Sequence, residues 1–259
     1  MDIPQAALLA AAAVVAGAIN SVAGGGSLVS FPAALAVGMS PLMANATNAV
    51  ALMPGSVASA YGYRREIKGD RAVIRLLLPA AALGGAIGSV LLLVTPQSLF
   101  DNLVPFLVLF ATLLLLVQNL RRPAAAGAVE TADETWNLPK SPTVTVIFQL
   151  LVGVYGGYFG AGIGIMMLAL FAHFGARNIH RMNGVKTVLA AAINAVAAVA
   201  FVVARAIDYR AAAIMAAGAI FGGLLGAAGA RRVKPAIVRW GVVTIGLVLF
   251  AQLAYKRWS

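Results

Sequence analysis

The sequence predicts an all-α integral membrane protein built from two inverted-topology repeats, each a broken or re-entrant helix pair followed by three spanning helices. Three observations carry this prediction. The chain is 61% hydrophobic and 10% charged over 259 residues, where soluble domains carry roughly 25% charged residues, and its mean hydropathy is +0.92. Its basic residues stand in short clusters between long apolar runs. Finally, the second half repeats the order of the first: Gly17 and Ser21 correspond to Gly153 and Gly157, Asn45 to Asn183, Asp70 to Asp208, and LGGAIG (83–88) to FGGLLG (221–226). The offset is 136 for the first pairs and 138 for the later ones. The slip falls where a loop would absorb it. A search for such repeats precedes any statement about fold.

Composition excludes other classes. A net charge of +11 suits nucleic acid when it is gathered on one face, but here it is divided among loops, so no nucleic-acid partner is expected. The absence of cysteine removes disulfides and thiolate chemistry. Two histidines, His173 and His180, do not make a metal site. No cofactor, metal or catalytic group is expected, and the protein is not expected to be an enzyme. The opening MDIPQ has no Lys or Arg before its first apolar run, which argues against a cleaved signal peptide.

A membrane-spanning helix needs about 20 mostly apolar residues. In chain order the segments are 5–22 and 27–38, divided by glycines, then 41–63, 72–94 and 98–120. A polar stretch containing three prolines follows at 121–142, RRPAAAGAVETADETWNLPKSP. The pattern then returns as 143–159 and 163–174, divided by GAGIG, followed by 180–204, 209–230 and 235–256. The expected organisation is a first transmembrane repeat over 1–120, a cytoplasmic linker over 121–142 and a second repeat over 143–259.

Lys and Arg concentrate on the cytoplasmic side of membrane proteins. Placing the loop 64–75 inside puts every Lys and Arg there except Arg205, Arg210, Lys256 and Arg257. Both termini then face outward across a bacterial-type inner membrane. Each half makes an odd number of crossings, so the halves must be inverted, a common transporter plan. Trp136, Trp240 and Trp258 read as interface anchors. Asp70 and Asp208 read as N-caps of equivalent helices.

The interruption NSVAGGGSLVSFP (20–32) lies in a run with no charged residue from Ile3 to Tyr63. Non-helical backbone at membrane depth is tolerated only inside protein or along a water-filled cavity. Gly24, Gly25 and Gly26 leave no side chain between the backbone and an approaching group. The helix beginning near Ser27 exposes N–H groups and a partial positive charge. Gly160, Gly162 and Gly164 give the second half an equivalent break. Two breaks brought together would aim two helix N-termini at one point, which makes an anion site. Glycines also serve close helix packing; Gly84, Gly88, Gly222 and Gly226 fit that role better.

With those residues in hand, GAINSVAGGGSLVSFPAALAVGMSPLMANATNAVALMPG (17–55) resembles the first-repeat signature of the TauE/SafE family of sulfite exporters and related anion permeases. GVYGGYFGAGIGIMMLALFAHFGARNIHRMNGVKTVLAAAIN (153–194) resembles its second-repeat counterpart. The resemblance spans both halves and implies transport of a small sulfur-containing anion such as sulfite, sulfoacetate or another organosulfonate. The chain departs from the pattern at Val185, where a small or hydroxyl residue is expected.

The candidate substrate-binding residues are Asn20, Ser21, Gly24, Gly25, Gly26, Ser27, Asn45, Thr47, Asn48, Gly160, Gly162, Gly164, Asn183, Lys186 and Thr187. Lys186 matters most, since a lysine at membrane depth costs about 2.5–3.5 kcal/mol on insertion scales. It either supplies positive charge to the substrate or snorkels to the surface beside Arg181. Asn45, Thr47 and Asn48 either hydrogen-bond an oxyanion or tie helices together, and so do Asn20, Ser21 and Ser27. Asn194 reads as structural. A potential negative inside already drives anions out, by about 2.3 kcal/mol per charge at 100 mV, and apart from Asp101 near an end no carboxylate lies in the spans to couple a cation. Export by alternating access is therefore expected; an anion channel or an uptake permease for another small anion is the alternative. The partners are a small anionic substrate and the lipid bilayer, and a homodimer is compatible with the sequence.

Overall fold

The computed structural model describes residues 1–120, 142–176, 178–229 and 235–258, without the side chains of 235–239 and 256–258. The polar linker with Trp136, the Arg231/Arg232/Lys234/Arg239 cluster and the Trp258 side chain lie outside the described residues.

Ten α-helices form the described chain, with no strand. They are α1 (Ile3–Val22), α2 (Ser27–Ala36), α3 (Pro41–Gly62), α4 (Arg71–Val94), α5 (Gln97–Leu120), α6 (Pro142–Tyr158), α7 (Ile163–His173), α8 (Ile179–Val203), α9 (Tyr209–Gly229) and α10 (Pro235–Trp258). A short 3₁₀ turn, Glu66–Asp70, precedes α4. The span from that turn through α4, together with α1, α5, α8 and α9, is long and apolar enough to cross a membrane. α3 has 22 residues, about 33 Å at 1.5 Å per residue, and carries Asn45, Thr47, Asn48, Ser56 and Ser59, all buried.

Helix directions follow from close approaches. α1 runs beside α9 in the same sense: Gly218 packs on Ala10 and Val14, Gly222 on Val14, Gly226 on Ala18. α4 runs beside α6 likewise, with Gly84 on Leu150 and Gly153, and Gly88 on Val154. A Cβ at any of these glycines would strike main-chain atoms, so the packing role expected of them holds. α3 and α8 lie antiparallel, since Tyr63 past the end of α3 touches Gly184 near the start of α8. At their other ends the Asp208 N–H donates to Thr47 Oγ1 at 3.0 Å. The molecule thus has an Asp70 end, where α3 finishes, and an Asp208 end, where it starts.

α1 finishes toward the Asp70 end, where the Tyr63 hydroxyl reaches the Ser21 carbonyl. The chain then doubles back so that Gly26 lies against Ala16, and α2 returns to the end where α3 begins. Three of the main contacts between elements have counterparts when the two halves are exchanged. α1 packs on α9 as α6 does on α4, α3 on α9 as α8 does on α4, and α2 on α10 as α7 does on α5.

One expected cap differs. Asp208 accepts from the Ala211 N–H at 2.9 Å and caps α9. Asp70 makes no such bond at the start of α4; Arg181, 111 residues along the chain, takes its carboxylate instead.

Candidate functional site

The two interruptions begin alike. In the first, the N–H groups of Ala23 and Gly24 both donate to the Ile19 carbonyl; in the second, those of Phe159 and Gly160 both donate to the Tyr155 carbonyl. Gly24 (φ 79°), Gly25 (φ 89°), Gly160 (φ 77°) and Gly162 (φ 86°) occupy the left-handed region that favours glycine. Helix then restarts at Ser27 and at Ile163. Neither α2 nor α7 has a side-chain N-cap, whereas Asp2, Ser40 and Asn178 cap α1, α3 and α8.

The interruptions meet. A Cβ at Gly24 would lie 2.9 Å from the Gly164 carbonyl carbon, and one at Gly164 would lie 3.0 Å from Gly24 Cα. Main chain therefore touches main chain, which only glycine permits here. Phe31 of α2 and Phe159 of the second break pack edge to face, 5.6 Å between centroids.

Beside this contact is a narrow, partly open cavity. Four lining positions on α3 and four on α8 share the repeat spacing: Asn48 with Lys186, Ala49 with Thr187, Leu52 with Ala190, and Ser56 with Asn194. Asn20, Gly24, Gly25, Ser27, Gly160 and Gly164 complete the polar and main-chain part of the wall, and Phe159 and Ile163 add an apolar patch.

Lys186 is 1% exposed. Its Nζ donates to Asn183 Oδ1 at 2.7 Å and to the Ser21 carbonyl at 3.3 Å. These bonds fix it at the cavity rather than at the surface, so the snorkelling alternative falls. Ser30 Oγ donates to Asn48 Oδ1 at 2.5 Å, which leaves the Asn48 amide N–H₂ as its end for a ligand. Asn20 Oδ1 accepts from the Gly26 N–H at 2.7 Å, leaving its own N–H₂ similarly. Among the described residues the main-chain N–H groups of Gly25, Ser27 and Gly164 have no protein acceptor. Thr187 donates its hydroxyl proton to the Gly184 carbonyl at 2.8 Å and cannot give it to an anion at the same time.

Nine of the expected residues therefore line the cavity: Asn20, Gly24, Gly25, Ser27, Asn48, Gly160, Gly164, Lys186 and Thr187. Six lie behind the wall. Ser21 and Asn183 hold Lys186. Gly26 lies against Ala16, and Gly162 starts α7. Asn45 Nδ2 donates to the Tyr158 carbonyl at 2.9 Å, satisfying the end of α6, and Thr47 binds Asp208 N–H. Ser56 and Ser59 line the cavity without having been expected there, and Asn194 does so despite a structural reading. Ser56 stands four residues past Leu52, Ser59 three past Ser56, and Asn194 four past Ala190; that spacing was visible, but which face of α3 and α8 turns inward was not.

An all-helical chain whose interrupted helices enclose a buried, lysine-bearing cavity has the architecture of a multi-pass membrane transporter. The family profile described as "Sulfite exporter TauE/SafE" matches residues 9–253, and the chain belongs to this family. It is 29% identical to a "Probable membrane transporter protein" of Haemophilus influenzae over 97% of this chain and 95% of that protein. It is 26% identical to the "Probable membrane transporter protein YfcA" of Escherichia coli K12 over 94% of this chain and 87% of the relative. A "Probable membrane transporter protein ORF9" of a Sinorhizobium species is 28% identical over 94% and 90%. No solved structure matches the chain.

Proposed function

We propose that this transporter carries a small sulfur-containing oxyanion, such as sulfite, sulfoacetate or another organosulfonate, outward across the inner membrane by alternating access. The observation that carries the reading is the contact of Gly24 with Gly164 beside the buried Lys186. An oxyanion entering lipid depth loses its hydration, and only charge-assisted and well-aimed hydrogen bonds offset that loss. Here the Lys186 ammonium, the Asn48 and Asn20 amides and the main-chain N–H groups of Gly25, Ser27 and Gly164 supply such donors from both halves. The family description, "Sulfite exporter", supports the sulfur oxyanion.

Two features favour alternating access between inverted halves. α1 runs toward the Asp70 end while α6, parallel to α4, runs away from it. The cavity is lined at equivalent positions of both halves, so tilting one half on the other would change its access. With the loop 64–75 cytoplasmic, the Asp70 end is the inner one. No carboxylate is among the described lining residues, which fits a carrier driven by the membrane potential without a coupled cation.

The test is flux in liposomes under an imposed potential, with sulfite, sulfate and a series of sulfonates, for the wild type, Lys186→Ala and Asn48→Ala. Saturable flux that falls in both variants is expected. Parental rates in both would overturn the site, and channel-like flux without saturation would overturn the carrier.

A further inference from the structure

At the Asp70 end, beyond the cavity, an ion pair joins the two halves. The Asp70 side chain is 0% exposed, and its Oδ2 accepts from Arg181 Nε at 2.9 Å. Its Oδ1 accepts from the other arm of the same guanidinium, giving the forked geometry of a strong arginine–carboxylate contact. Gly69 lets the guanidinium approach; a Cβ there would lie 3.0 Å from it.

Between this pair and the cavity is a second layer. Tyr63, 2% exposed, donates to the Ser21 carbonyl at 3.3 Å, the carbonyl that also accepts from Lys186. Gly184 fits beneath Tyr63 and Ile67. Arg181, Gly184 and Lys186 share less than two turns of α8, so the arginine of the ion pair, the glycine beneath Tyr63 and the cavity's cation stand on one short segment of helix.

The Asp208 end is different. The position equivalent to Arg181 is Met43, 38% exposed, and Asp208 caps its own helix. Among the described residues, Thr47 with the Asp208 N–H and Asn45 with the Tyr158 carbonyl tie the halves there through neutral groups. A buried ion pair contributes little net stability over apolar side chains of the same volume. Fold stability therefore does not by itself explain a buried charged tie between the halves. A contact that must part explains it better, because separated charges regain hydration.

We propose that Asp70 and Arg181 form a latch that closes the cavity at this end, released when an anion draws Lys186 away from the Ser21 carbonyl. This rests on the carrier reading above. The chain has no cysteine, so Ala190→Cys places a single thiol on the cavity wall. Its modification by a membrane-impermeant thiol reagent is timed from each face of oriented vesicles. Asp70→Asn and Arg181→Gln are each expected to speed modification from the Asp70 face by about tenfold or more, because each removes one side of the charged fork that holds the halves together in the closed state. The exchanged pair, Asp70→Arg with Arg181→Asp, restores the parental rate, and Asp208→Asn leaves it unchanged. Should the single variants not fold, Arg181→Lys keeps the charge, loses the fork, and speeds modification several-fold. Parental rates in the folded single variants or in Arg181→Lys, or an exchange that fails to restore them, overturn the latch. Anion flux is read separately: flux with unresponsive modification sinks the latch alone, and responsive modification in a protein that moves no anion sinks the carrier alone.

Discussion

The two interruptions open on the same backbone turn and then diverge, both in the residues that go left-handed and in the side chains that secure them. Equivalent carbonyls, Ile19 and Tyr155, each receive two N–H groups, and helix restarts after the same number of residues. Asn20 clamps the first break through the Gly26 N–H. Tyr155 clamps the second, its hydroxyl donating to the Ala161 carbonyl at 2.8 Å. The same contrast recurs one layer out, where Asn48 stands opposite Lys186 at equivalent positions. Repetition supplies the scaffold that opens main-chain N–H groups inside the membrane. Departure from repetition supplies the charge.

The comparison can be broken at its charged side first. Removing a charge-assisted hydrogen bond costs about 1.5–3 kcal/mol, so Lys186→Ala is expected to weaken anion binding by about one to two orders of magnitude in a titration of purified protein. Lys186→Asn, which copies the first half, should do nearly as badly. Next comes the contact between breaks. Gly24→Ala combines a positive φ with a collision against Gly164 main chain and should lower stability by about 2–3 kcal/mol, read as a fall in melting temperature in detergent. Gly38→Ala is the control: its φ is 92° but open space surrounds it, so only the conformational cost of about 1–2 kcal/mol remains. Asn48→Ala removes a neutral donor and should weaken binding by about fivefold to tenfold. Asn20→Ala, which leaves the Gly26 N–H without its cap, should cost about 1 kcal/mol of stability and weaken binding by no more than Asn48→Ala does.

Much of this architecture was legible in the sequence. The helix limits fall within about two residues of the hydropathy breaks because lipid-facing helices end where polar or glycine residues begin. The first interruption was readable from three adjacent glycines, which packing in a straight helix does not require, and the second from the alternating glycines of GAGIG. What stayed hidden depends on contacts between distant segments. Nothing near Asp70 signals Arg181 as its partner, and the local pattern favours a cap. Asn45 and Asn183 look alike in sequence, yet one closes the end of α6 and the other steadies Lys186. Ser56, Ser59 and Asn194 lie on helices with apolar residues all round, where periodicity does not reveal the inward face until α3 is set against α8.

The most direct test is to locate the bound anion. In crystals of the protein grown with selenite, a heavier relative of sulfite, the anomalous signal should lie within hydrogen-bonding distance of Lys186 Nζ and the N–H groups of Gly25, Ser27 or Gly164, and should vanish in Lys186→Ala. Selenium bound elsewhere, with this cavity empty, or the same peak persisting in Lys186→Ala, would contradict the account.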